Sequence, residues 1–88
     1  MERYRIEIKR SAAKELALVP AKDQGRIVQR IRGLATDPRP PGAKKLCGEE
    51  KYRIRQGNYR ILYEIHDIVL VVVVVRVGHR RDVYRGDG

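Results

Sequence analysis

Eight consecutive apolar residues, Ile68 to Val75, with valine at every position from 71 to 75, constrain this 88-residue chain most. The run is far short of the ~20 apolar residues that a membrane helix needs. Extended to Val77, it is apolar on both faces, which marks a strand that is central in a sheet or covered on both sides. The segments before it supply the sheet. Lys51 to Arg55 alternates, with Tyr52 and Ile54 opposite Arg53 and Arg55. Gln56-Gly57-Asn58 reads as a tight hairpin turn. Tyr59, Ile61, Tyr63 and Ile65 then share one face, and Arg60, Leu62, Glu64 and His66 the other.

Tyr4 to Lys9 alternates in the same way and predicts a further strand with one wet face. Ser11 offers an N-cap to a short helix over Ala12 to Val19, with Ala13, Leu16 and Val19 inward. Pro20 marks a break. A second helix is expected from about Lys22 to Ala35, with Ile27, Ile31 and Leu34 as its apolar stripe and Val28 and Ala35 at the margin. Asp37-Pro38-Arg39-Pro40-Pro41-Gly42 is too short to separate domains and reads as a stiff connector into the sheet. The expected order is β-α-α-β-β-β. This is a small α+β domain over residues 1–88, with a two-helix hairpin on one face of a mainly antiparallel sheet.

Charge narrows the function. Lys plus Arg total 20 against 11 Asp plus Glu, a net charge of +9, and fourteen of the cations are Arg. Such an excess favours an acidic partner: nucleic acid, an anionic membrane or an acidic protein. Cys47 is the single cysteine, so no internal disulfide and no C-x-x-C metal site can form, and Cys47 itself reads as a small packing residue. The charged start, Met1-Glu2-Arg3-Tyr4-Arg5, is unlike a signal peptide, and a cytoplasmic location is expected. Ser11 and Thr36 are the only hydroxyl nucleophiles of their kinds, and Ser11 is placed as a cap. An enzyme of this composition would draw its attacking group from the substrate, as RNA does through its 2′-hydroxyl.

If the tyrosine and isoleucine face meets the helices, parity gathers Arg53, Arg55 and Arg60 on the opposite, open face. Arg53 and Arg55 lie about 6.6–6.8 Å apart along one strand, with Arg60 across the hairpin. Three like charges on one patch repel unless an anion sits among them, and phosphate matches the donor geometry of guanidinium. The competing reading is a solvated strand face. Beyond the long strand, Val77-Gly78-His79-Arg80-Arg81-Asp82-Val83-Tyr84-Arg85 is either a charged tail or a source of a phenol and a guanidinium at the rim of that patch. His79 offers an alternative acid or base, against its reading as a surface turn histidine. Glu64 and His66 read as surface charge.

Lys45-Leu46-x-Gly48, the Tyr52-Arg53-Ile54-Arg55 strand, Gly57-Asn58-Tyr59-Arg60-Ile61-Leu62-Tyr63 and Val77-Gly78-His79-Arg80-Arg81-Asp82-Val83-Tyr84 together resemble the RelE branch of the RelE/ParE toxin superfamily. The resemblance covers essentially the whole chain. It implies a ribosome-dependent endoribonuclease that cuts mRNA in the A site without metal or other cofactor, and that a cognate acidic antitoxin inhibits. By position it implies that Arg53 and Arg55 hold the RNA backbone, with Lys51 and Arg81 beside them. Arg60 would hold phosphate and stabilise the transition state, Arg80 would assist the leaving group, and Tyr84 would take the 2′-hydroxyl proton or stack on a base. Arginine at 53 and 55, where relatives often carry lysine, keeps the charge and changes the donor geometry. Cys47 stands where an arginine is common. The same fold also serves ParE-like inhibitors of DNA gyrase, and a basic RNA-binding homologue without cleavage activity is the third reading.

Overall fold

The computed structural model describes residues 3–46 and 51–79 of the chain. In chain order the elements are β1 (Arg5–Ile8), α1 (Arg10–Ala17), α2 (Ala21–Gly33), β2 (Lys44–Lys45), β3 (Lys51–Gln56), β4 (Tyr59–His66) and β5 (Val71–His79). They build one five-stranded sheet in the order β1-β5-β4-β3-β2. β1 runs parallel to β5, and the other pairs are antiparallel. The expected α+β layering is what forms, with the two-residue β2 as an added edge strand.

β5 lies between β1 and β4, as its two apolar faces require. On the helix side, Val72, Val74 and Val77 join Ile54, Ile61, Tyr63 and Ile65 against Ala12 and Val19 from the first helical segment and Ile27, Ile31 and Leu34 from the second. On the other side, Val75 and Leu62 form a smaller buried cluster, with Leu46 and Val73 packed against it. The strand begins at Val71 rather than Ile68, because β4 ends at His66, which pairs with Val71. With nothing opposite them, residues 67–70 turn, leaving Ile68 99% and Val69 66% exposed. Leu70 closes this turn at φ 55°, a left-handed conformation disfavoured for a branched apolar side chain.

Local signals place most of the remaining boundaries. Gly57 adopts φ 60° at the first central position of the β3–β4 turn, as a II′ hairpin demands. Gly42 adopts φ 94° where the proline-rich connector enters β2. Ser11 does not cap α1. Lys9 is the N-cap, and its ammonium, which has no acceptor, makes no cap bond; its backbone N–H donates to the Val74 carbonyl at 2.9 Å, so the strand passes directly into the helix. Leu16 and Val19 face inward as expected, but Ala12 rather than Ala13 completes that face. Ala12 is buried with Leu16 and Val19 beside it, and Ala13 is exposed. The Gln24 side chain donates to the Leu16 carbonyl at 2.9 Å, tying α2 to the end of α1.

The connector is pinned at its centre. The buried Tyr63 hydroxyl donates to the Pro38 carbonyl at 2.7 Å, and the Tyr63 ring stacks on Tyr52 with centroids 5.9 Å apart. Arg39 lies over the Tyr52 ring and pairs with Asp67 at 2.9 Å. Asp67 also accepts from the Tyr4 hydroxyl at 2.6 Å. One carboxylate thereby joins the start of the chain, the connector and the β4–β5 turn. The bonds from Arg39 and then Tyr4 hold its pKa down to about 2.

Candidate functional site

The β3–β4 hairpin positions the basic cluster, and its register does so directly. Arg55 pairs across the strands with Arg60, and Arg53 pairs with Leu62. Directly opposed side chains have Cβ atoms about 4.5–5.5 Å apart and diagonal ones about 7–8 Å, so Arg53, Arg55 and Arg60 form a compact triangle. All three project from the face away from the helices, since Ile54 and Ile61 between them are buried in the helix-side core. The expected grouping forms.

Its exposure differs from expectation. Arg55 is exposed, but Arg53 and Arg60 each retain only 8% of their accessible surface. Leu62, which pairs with Arg53 and stands two residues from Arg60, forms a small buried apolar cluster with Val75 on the same face, so an apolar surface lies beside the arginine stems. Burial, and then the Arg55 charge, lowers the pKa of Arg53, although a guanidinium remains ionised throughout the working range. An anion placed among these groups gains from their partial desolvation.

Two further residues complete the face. Lys44 on β2 pairs with Arg53 and brings another cation onto it. Two-residue strands show no measurable alternation, and the adjacent pair Lys44-Lys45 is the only hint the sequence offers. Gly78 pairs with Arg60, so no side chain stands beside Arg60 on that flank. Lys51 lies further from the turn, opposite Glu64. Acidic groups gather away from the turn: Glu64 and Glu7 both pair with Val73, with His66 3.1 Å from Glu64 and Arg5 2.8 Å from Glu7. The face is thus cationic toward the hairpin turn and mixed toward β1.

His79 does not join this cluster. The β4–β5 register shifts between Leu62 and Tyr63, leaving Val75 as an extra residue in β5. This bulge inverts the alternation beyond it, so that His79 pairs with Tyr59 and packs edge-on against its ring at 5.9 Å, on the helix side of the sheet. The Val77 N–H at the bulge donates to Glu15 Oε1 at 2.9 Å, and Arg76 pairs with the same carboxylate at 3.4 Å. Arg80, Arg81 and Tyr84, together with Cys47, lie outside the described residues. Among the described residues, no helix is long and apolar enough to cross a membrane.

Comparison with known proteins agrees with this architecture. The sequence model of the family described as ParE toxin of type II toxin-antitoxin system, parDE, matches residues 6–84. Toxin RelG of Mycobacterium tuberculosis is 33% identical over 93% of this chain and 97% of its own length. A putative RelE-like toxin protein of Escherichia coli is 29% identical over 93% of this chain and 90% of its own. Among solved structures, the toxin–antitoxin complex RelBE2 from Mycobacterium tuberculosis matches with a TM-score of 0.80 at 30% identity, covering 90% of this chain and 93% of that one. A double mutant of E. coli RelE in the free state matches with a TM-score of 0.78 at 25% identity, covering 94% and 92%. A helical hairpin on this sheet, a hairpin-borne arginine cluster and a family match over nearly the full length lead to one conclusion: the chain belongs to the RelE/ParE family of type II toxin–antitoxin toxins.

Proposed function

We propose that this toxin is a ribosome-dependent endoribonuclease that cleaves mRNA by in-line attack of a 2′-hydroxyl on the adjacent phosphate. The observation that carries this reading is the Arg53, Arg55 and Arg60 triangle, with Arg55 directly opposite Arg60 and two of the three side chains largely buried. As the 2′-oxygen attacks, negative charge grows on the non-bridging phosphoryl oxygens. Preorganised guanidinium groups in a partly dry site stabilise that charge more than the ground state. Arg60 takes this role, and Arg53, Arg55 and Lys51 hold the flanking backbone together with Arg81. Arg80 stabilises the departing 5′-oxygen. Tyr84 accepts the 2′-hydroxyl proton or stacks on a base. His79, turned to the other face against Tyr59, is set aside as the acid or base. So few acid–base groups predict slow cleavage of free RNA and dependence on the ribosome to align the substrate. An acidic antitoxin complements the +9 chain, consistent with relatives solved as toxin–antitoxin complexes.

The name of the matching family favours a second reading, a ParE-like inhibitor of DNA gyrase. Primer extension on mRNA after induced expression separates the two. Cuts at A-site codons that disappear in Arg60→Ala and weaken in Arg55→Gln support the nuclease, provided that both variants still bind the antitoxin. Growth arrest with uncut mRNA, together with loss of supercoiling activity when purified toxin is added to gyrase, refutes it.

A further inference from the structure

β5 outruns the strand beside it. β1 ends at Ile8, opposite Val74, and the Lys9 N–H closes that ladder on the Val74 carbonyl at 2.9 Å. From Arg76 onward β4 pairs with β5 on one side, and no strand of the described residues pairs with it on the other. An open strand edge carries backbone donors that need acceptors. Here the end of α1 supplies one. Glu15, Leu18 and Val19 share an open groove of about 280 Å³ with Tyr59 and the last four residues of β5. Glu15 is the only acidic residue of α1, and both of its oxygens are engaged at that edge. Oε1 accepts from the Val77 N–H at 2.9 Å, and Oε2 accepts from Arg76 at 3.4 Å. The two side chains are 32% and 30% exposed, so the ion pair is screened and the Val77 bond is the stronger tie.

The position of that tie matters more than its strength. Val77 comes just after the bulge, pairs with Ile61 and is 1% exposed, so water has little access to its N–H. A bulge interrupts the ladder and lets the strand bend, which leaves the end of β5 in need of a hold from outside the sheet. The charge-assisted bond from Glu15 provides one, a single step along the strand from the Gly78–Arg60 pair. Arg80 follows Val77 by three positions in the sequence, and Tyr84 by seven.

We infer that Glu15 is a positioning residue for cleavage, an assignment that rests on the nuclease reading. By anchoring the free edge of β5 at Val77, it fixes the strand end that flanks Arg60 and leads on to Arg80 and Tyr84. Its kinetic signature follows from topology. Arg53 and Arg55 stand on β3, which β4 separates from β5, so they hold the RNA backbone with or without Glu15. KM should therefore persist when the anchor is lost, while the geometry around Arg60 relaxes and kcat falls. A misplacement of about 1 Å can cost about 10²-fold in rate.

The test is cleavage of mRNA on programmed ribosomes by the full chain, with hydrogen exchange of the Val77 amide measured on the same proteins. Glu15→Ala and Glu15→Leu both remove the acceptor and keep good helix formers in α1. Each should lower kcat roughly hundredfold and leave KM within about threefold of the parent. Glu15→Gln keeps a carbonyl oxygen for the Val77 N–H and should restore most of the rate. Arg76→Gln removes only the ion pair and should stay within about threefold of the parent. Val77 exchange should quicken at least about tenfold in the Ala and Leu variants and in neither Gln variant. Tyr63→Phe lowers stability through the connector instead, and should leave kcat near that of the parent. Unchanged Val77 protection in Glu15→Ala and Glu15→Leu would overturn the assignment. So would a loss of kcat that Glu15→Gln or Tyr63→Phe shares in full. Uncut mRNA with the parent chain refutes the nuclease reading itself, whereas rapid Val77 exchange with unchanged kcat, beside a parent that cuts, refutes the positioning role alone.

Discussion

Replacing Tyr63 by phenylalanine isolates one hydroxyl in the centre of the molecule. Tyr63 has no accessible surface, and its hydroxyl donates to the Pro38 carbonyl at 2.7 Å. The variant keeps the ring and its stacking on Tyr52, loses one hydrogen bond and strands a buried carbonyl. Net hydrogen bonds contribute about 1 kcal/mol, and an orphaned buried acceptor costs about 1–3 kcal/mol, so a loss of about 2 kcal/mol is expected at neutral pH. For a chain of this length the unfolding entropy makes that roughly a 10 °C drop in Tm. A second signature follows from ionisation. Burial pushes the Tyr63 phenol up to about 12, against the ordinary 10 of the unfolded chain. A raised pKa contributes stability that is complete below pH 10 and is lost as pH rises toward 12. At pH 11 the parent should therefore have lost about 1.4 kcal/mol that the phenylalanine variant cannot lose, and the gap between them should narrow by that amount. Urea unfolding at pH 7 and pH 11 measures both. Equal stabilities at pH 7, or a gap that widens with pH, would refute the account of how the connector is pinned.

Asp67→Asn should flatten the acid limb of the stability curve. The depressed pKa of Asp67 contributes stability that is present above the ordinary carboxylate range and lost as pH falls toward about 2, so parent and variant should converge in acid unfolding by pH 2. Gly25→Ala should raise stability by about 1 kcal/mol in thermal unfolding, because its Cβ meets open space and helix propensity alone acts. Gly57→Ala should lower stability by about 1 kcal/mol in the same assay, through its φ of 60° rather than through any clash. Arg55→Gln should leave the unfolding free energy within about 0.5 kcal/mol of the parent while weakening RNA binding, because its side chain is exposed.

Strong periodicity explains how much was legible in advance. Tyr52 and Ile54 facing Ile61 and Tyr63 across a Gly57-Asn58 turn admit one register, since a one-residue slip would put every tyrosine and isoleucine in water. That register alone brings Arg53, Arg55 and Arg60 together, and the 3.6-residue stripe of Ile27, Ile31 and Leu34 seats α2 against the sheet. Local composition therefore determined the layers, the hairpin and the side of the sheet on which the arginines stand. It did not determine how wet they are, because the burial of Arg53 and Arg60 is set by groups that tertiary packing brings beside them, the Leu62 and Val75 cluster from two strands among the neighbours on that face. Nor could alternation foresee the extra residue at Val75. Along five valines every register looks alike, and the Val77 N–H beside the bulge is held by the Glu15 carboxylate of α1. That single inserted residue turns His79 toward Tyr59 and sets Gly78 beside Arg60, because strand parity is local while the contact that resets it joins groups 62 positions apart.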